Sequence, residues 1–93
     1  MSPQALDTHG DLVVSNWLNS PHANPRLTQL LFELLDDLRW GRPLQHAWDV
    51  RRDQTDPTDR LVYLPDSWVV VVRMFSDEDP EHMFSILSIV QVR

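Results

Sequence analysis

Arg60-Leu61-Val62-Tyr63-Leu64, then Pro65-Asp66-Ser67, then Trp68-Val69-Val70-Val71-Val72-Arg73-Met74-Phe75 is the stretch that decides the fold. Two runs of β-branched and aromatic residues separated by a Pro-Asp-Ser turn predict a β-hairpin. Its second run is apolar at consecutive positions, so both faces of that strand ask for cover. Upstream lies material able to cover one face, and downstream residues 83–92 (Met-Phe-Ser-Ile-Leu-Ser-Ile-Val-Gln-Val) read as one more strand. With a single covering layer, one sheet face or the last strand is left for a homodimer or another partner; a sheet curved enough to cover itself is the alternative.

The covering layer is clearest at residues 24–40. Asn24 is a good N-cap, Pro25 suits the first helical position and Gly41 supplies a stop. Leu27, Leu30, Leu31, Leu34, Leu35 and Leu38 recur at i, i+3, i+4, i+7, i+8 and i+11, the apolar stripe of a 3.6-residue period. Gln29, Glu33, Asp36 and Asp37 fall largely off that stripe. Residues 11–19 predict a shorter helix capped by Asp11, grouping Val13, Val14, Trp17 and Leu18, although the valine pair also suits a strand. Residues 1–10 read as a flexible tail and 11–93 as a single α+β domain. After Gly41-Arg42-Pro43 the period changes to two, and residues 45–53, holding Trp48, Val50, Arg51 and Arg52, predict a strand. The fold class expected is therefore two N-terminal helices packed on a three- to four-stranded antiparallel sheet.

Ninety-three residues make one domain with a modest core. There is no cysteine, hence no disulfide, zinc thiolate or thiol nucleophile. No apolar run approaches the length that spans a bilayer, and the first ten residues lack a basic start and apolar stretch, which predicts a cytoplasmic protein. Fourteen acidic side chains face eight basic ones, all arginine, for a net charge of −6. That field repels phosphate backbones and anionic lipid, so direct nucleic-acid or membrane binding is disfavoured and a partner with a basic surface is favoured.

Catalytic constellations are scarce. The two glycines, Gly10 and Gly41, build no phosphate loop, and His9, His22, His46 and His82 are scattered. Residues 76–82 are the most acidic stretch; Asp77, Asp79 and His82 there lack the ligand spacing and the glycine of a calcium loop, so no metal or cofactor is expected. Its carboxylates Asp77, Glu78, Asp79 and Glu81, with Glu33, Asp36 and Asp37 of the long helix, are the candidate partner-binding groups.

One pattern carries a resemblance. Trp48-Asp49-Val50-Arg51-Arg52, a short polar loop, then Asp59-Arg60-Leu61-Val62-Tyr63 and a β-branched strand resemble the RelE/ParE superfamily over residues 16–75, with the YoeB branch nearest. The resemblance implies two helices on a curved antiparallel sheet, in a small cytoplasmic toxin that cuts mRNA in the ribosomal A site and is restrained by an antitoxin. It places Arg51 or Arg52 at the strand arginine that stabilises the scissile phosphate, a transition-state charge role. Other positions depart from the pattern: Asp59 stands for the histidine before Arg-Leu-Val-Tyr, and Leu44 and Gln45 stand where the general-base glutamate follows the Gly/Pro connection. Met74, Phe75 and Ser76 stand where the terminal His-Tyr pair follows, with His82 further on. The family is also basic where this chain is acidic. The expected function is thus a small acidic protein-binding module on this scaffold, an inhibitor or neutraliser of a nucleic-acid-processing protein of phage or mobile-element type. The alternative is a divergent ribosome-dependent mRNA interferase using Arg51, Arg52 and His82. Arg51 and Arg52 also have a plain structural role open to them, pairing with Asp49 or Asp53.

Overall fold

The computed structural model describes residues 5–56, 58–74 and 83–92. It is α+β: two helices pack on one face of a sheet whose four longer strands are antiparallel. In chain order these are β1 (Ala5–Leu6), α1 (Thr8–Leu18), α2 (Pro25–Arg39), β2 (Asp49–Arg52), β3 (Asp59–Leu64), β4 (Trp68–Met74) and β5 (Met83–Gln91), with sheet order β1-β5-β4-β3-β2.

α2 follows its sequence signals. The Asn24 carboxamide oxygen accepts from the Leu27 N–H at 2.9 Å, satisfying a donor the helix leaves orphaned. At the other end Gly41 turns to φ 66°, the Gly41 N–H donates to Leu38 O and the Arg42 N–H to Asp37 O, a Schellman closure. Leu27, Leu31, Leu34 and Leu38 are buried in the core, each worth about 2 kcal/mol, while Leu30 and Leu35 flank it half-buried. Opposite them stand Val62, Leu64, Trp68, Val70, Val72, Phe84 and Ile86 from the sheet. Trp17 of α1 meets Trp68 edge-to-face at 5.7 Å, and His22 lies 5.3 Å from the same indole, so the turn between the helices is fastened to the start of β4.

The expected hairpin is present, with Leu64 opposite Trp68 and Asp59 opposite Arg73. Its turn, Pro65–Ser67, puts Asp66 and Ser67 both at φ 64°; Asp tolerates this region better than most residues.

Three expectations are corrected. The first concerns residues 5–10, which are not a loose tail: Ala5 and Leu6 pair in parallel with Met83 and Phe84, and α1 already begins at Thr8. Its N-cap is Asp7, whose carboxylate accepts from the Gly10 N–H at 2.7 Å, not Asp11, which lies inside the first turn. The two-residue parallel pairing fixes the chain just before Asp7, and local propensity carries no trace of that contact. The second concerns residues 45–53: only Asp49–Arg52 is strand, preceded by a 3-10 turn at Leu44–His46 in which Leu44 O accepts from Ala47 N and Trp48 N. The third concerns the last strand, which is an inner strand and not an edge at its start, because β1 and the N-terminus of α1 lie beside it. At the other end of the sheet from β1, β2 pairs with β3 alone among the described strands.

Candidate functional site

The strand pairings sort every sheet residue onto one of two faces. Asp49, Tyr63, Val69 and Val90 form one row across the face turned away from the helices; Arg51, Leu61, Val71 and Ser88 form the next; Asp59, Arg73 and Ser85 form a third. The first two rows make an apolar strip in which Val69 is buried, Leu61, Tyr63 and Val71 are half-buried, and Val90 is exposed.

The third row closes this strip with charge. Arg73 Nε donates to Asp59 Oδ1 at 2.8 Å, and its Nη2 reaches Asp56 Oδ2 at 2.9 Å. The Asp59 carboxylate is only 6% exposed, so it depends on this partner. The same bridge holds the Arg73 guanidinium above its ordinary pKa, first through the Asp59 hydrogen bond. The Asp56 carboxyl is held low, chiefly by the Thr58 hydroxyl, then by the Thr58 N–H, with Arg73 adding to it. Asp59, the position at which the resemblance expects a histidine, therefore serves as a buried structural counter-ion.

Arg51 and Arg52 are both exposed on β2 and, being consecutive in a strand, project to opposite faces. Arg51 lies over the Tyr63 ring at 5.1 Å and 3.8 Å from Asp49, a loose contact with both groups solvated. Arg52 stands directly across from Arg60. Arg51 thus makes the Asp49 contact expected of it.

The acidic candidates of α2 divide. The Asp37 carboxylate accepts from the Trp48 indole at 2.8 Å and from Arg42 at 3.0 Å, and its pKa lies below the ordinary carboxylate value, first because of the indole hydrogen bond. It ties the end of α2 to the approach of β2. Asp36 is bridged by Arg42 at 2.7 Å on the surface, and Glu33 is exposed beside Gln29. Asp77, Glu78, Asp79, Glu81 and His82 lie outside the described residues. No group of three or more His, Cys, Asp or Glu among the described residues could hold a metal ion, and no described helix is long and apolar enough to cross a membrane.

A second surface escaped the sequence. An open groove of about 410 Å³ separates the outer flanks of α1 and α2. Val14 lies buried at its base, Leu6, Leu18 and Leu35 are half-buried, and Phe32 is 53% exposed. The signal in the sequence for it is Phe32, a large apolar residue off the leucine stripe.

The fold and these surfaces define a small α+β domain with a two-helix layer, a half-open sheet and no assembled catalytic group among the described residues. No family model matches the chain, and no curated protein or solved structure matches it significantly.

Proposed function

We propose that the chain is a small acidic protein-binding module, an inhibitor or neutraliser of a nucleic-acid-processing protein with a basic surface. The observation that carries this is the Asp56–Arg73–Asp59 bridge. Where an RNA-cutting relative of the resembled type needs a histidine beside a free cationic strand, this chain has a buried carboxylate neutralising an arginine. Arg42 is likewise spent between Asp36 and Asp37. With Arg42 and Arg73 committed to carboxylates and acid in excess by six, the overall field is negative and fits a basic partner. The apolar strip of Leu61, Tyr63, Val71 and Val90 beside those charges is surface of the mixed kind that interfaces use.

The test has two arms. The wild-type chain and an Arg51→Ala/Arg52→Ala double variant are induced in bacteria, and growth and mRNA integrity are followed; neither is expected to cleave mRNA. In parallel the tagged chain is used to capture partners, with the expectation that a basic protein is retained at about 50 mM salt and released at several hundred millimolar, where the Debye length falls to a few ångströms. Growth arrest with cut mRNA from the wild type alone would establish the rival mRNA interferase. A partner held equally at all salt concentrations would refute the electrostatic basis.

A further inference from the structure

The antiparallel ladder decides which backbone groups of β2 point away from β3. The Asp53 N–H donates to Asp59 O at 3.3 Å, and the register pairs Arg51 with Leu61 and Asp49 with Tyr63. Hydrogen-bonded and non-hydrogen-bonded pairs alternate along such a ladder, so Asp49, Arg51 and Asp53 turn their N–H and C=O groups toward β3. Val50 and Arg52 turn theirs outward, to the side on which no described strand lies. The side chains alternate as well. Val50 packs on the core beneath the helices, while Asp49 and Arg51 share the outer face, where Arg51 lies over Tyr63. The Asp49 and Arg51 side chains are 61% and 68% exposed, and their own contact at 3.8 Å is loose, so both are open to another chain.

This edge is complementary to itself. A second β2 joins antiparallel only in registers that set outward-turned groups against outward-turned groups, which places the two-fold on a residue and not between residues. Centred on Val50, the two-fold sets Val50 against Val50 of the second copy through two backbone hydrogen bonds, and it sets Asp49 opposite Arg51 twice. Centred on Asp49, Arg51 or Arg52, it sets that residue opposite its own copy, and like charges directly opposite each other destabilise a sheet. The contact closes at two copies, because each spends the same edge. β2 carries two arginines against one aspartate, so the place of contact is not acidic, and charges more than about 8 Å away are largely screened at physiological salt. A foreign strand would need a cation against Asp49 and an acid against Arg51; a second copy of this chain presents both.

We propose that β2 is the self-association edge of this protein: two copies join antiparallel, Val50 on Val50, with Asp49 of each opposite Arg51 of the other, in one continuous sheet. The inference goes beyond the protein-binding function above and does not depend on which basic partner the chain meets.

Sedimentation velocity of the full chain from about 10 to 500 µM tests it, a range chosen because a contact of four residues a side is of the small, transient class. The wild type is expected to pass from monomer to dimer across that range. Asp49→Arg and Arg51→Asp shift the net charge in opposite directions, yet each is expected to weaken dimerisation by at least about tenfold, since like charges then face each other twice. Both changes in one chain should restore the dimer. An equal mixture of the two single variants should restore it too, because the arginines of one then face the aspartates of the other. Both side chains are exposed, so circular dichroism should report an unchanged fold. On concentration, ¹H–¹⁵N spectra should shift the Val50 and Arg52 amides, and hydrogen exchange at Val50 should slow. A wild type that stays monomeric throughout, single variants that dimerise like wild type, or a mixture that does not associate would each overturn the proposal. Shifts confined to Phe32 and Leu35, or to Val90, would overturn it too, placing the contact in the groove or on the far sheet face.

Discussion

Replacing Gly10 by alanine sets two forces of known sign against each other. Gly10 sits in the first turn of α1, where helix propensity alone favours alanine by up to about 1 kcal/mol. The tertiary structure opposes it: a Cβ at this position would lie 2.5 Å from Leu6 Cδ1 and 2.7 Å from the Ile86 backbone nitrogen. The leucine methyl can rotate away. The Ile86 nitrogen cannot, because it belongs to β5 at a fully buried position paired with Val72. Overpacking of this kind costs about 1–3 kcal/mol, and pushing α1 off the sheet also loosens the β1–β5 pairing that fixes the Asp7 cap. The net expectation is a loss of about 1–2 kcal/mol, or roughly 5–15 °C in Tm for a domain of this size. Urea denaturation followed by circular dichroism and tryptophan fluorescence measures it. Gly41→Ala is the control: at φ 66° with nothing within 4 Å of the new Cβ, its cost is backbone strain alone, about 1–2 kcal/mol. A Gly10→Ala protein more stable than wild type would refute the close approach of α1 to β5.

Other substitutions probe the remaining contacts. Leu34→Ala, at a side chain with no exposure, should cost about 3–4 kcal/mol by equilibrium unfolding. Trp48→Phe keeps an aromatic ring, though a smaller one, and removes the donor to Asp37; it should cost at least about 1 kcal/mol at neutral pH. Because the folded Asp37 pKa is depressed below 3.8, its stabilising contribution is complete above that value and is lost as pH falls through the folded pKa; Trp48→Phe should therefore flatten the acid limb of a stability–pH curve below about pH 4. Asp59→Ala should lower Tm more than Asp56→Ala, since the Asp59 carboxylate is 6% exposed and that of Asp56 38%. Arg51→Ala should change stability by less than about 1 kcal/mol, as measured by denaturant midpoint, because its Tyr63 and Asp49 contacts are both solvated.

What could be read from the chain alone was whatever rests on neighbours in sequence. The cap at Asn24, the stop at Gly41, the leucine stripe and the hairpin around Pro65 each depend on residues within a few positions of one another, so period and turn chemistry suffice to place them. The acidic excess, and with it the preference for a basic partner, is likewise a property of composition. Other features exist only because distant segments meet. β1 and the Asp7 cap require Met83 and Phe84, nearly eighty residues away, and Gly10 is needed because β5 runs against it. The three α2 carboxylates look alike in the sequence, yet Asp37 belongs to Trp48, Asp36 to Arg42 and Glu33 to solvent. Asp59 is similarly one loop residue among several until Arg73, directly across the hairpin, makes it a buried counter-ion. A side chain's charge is written in the sequence. Its partner, and hence whether that charge is free to act on another molecule, is set by which segments the fold brings within a few ångströms.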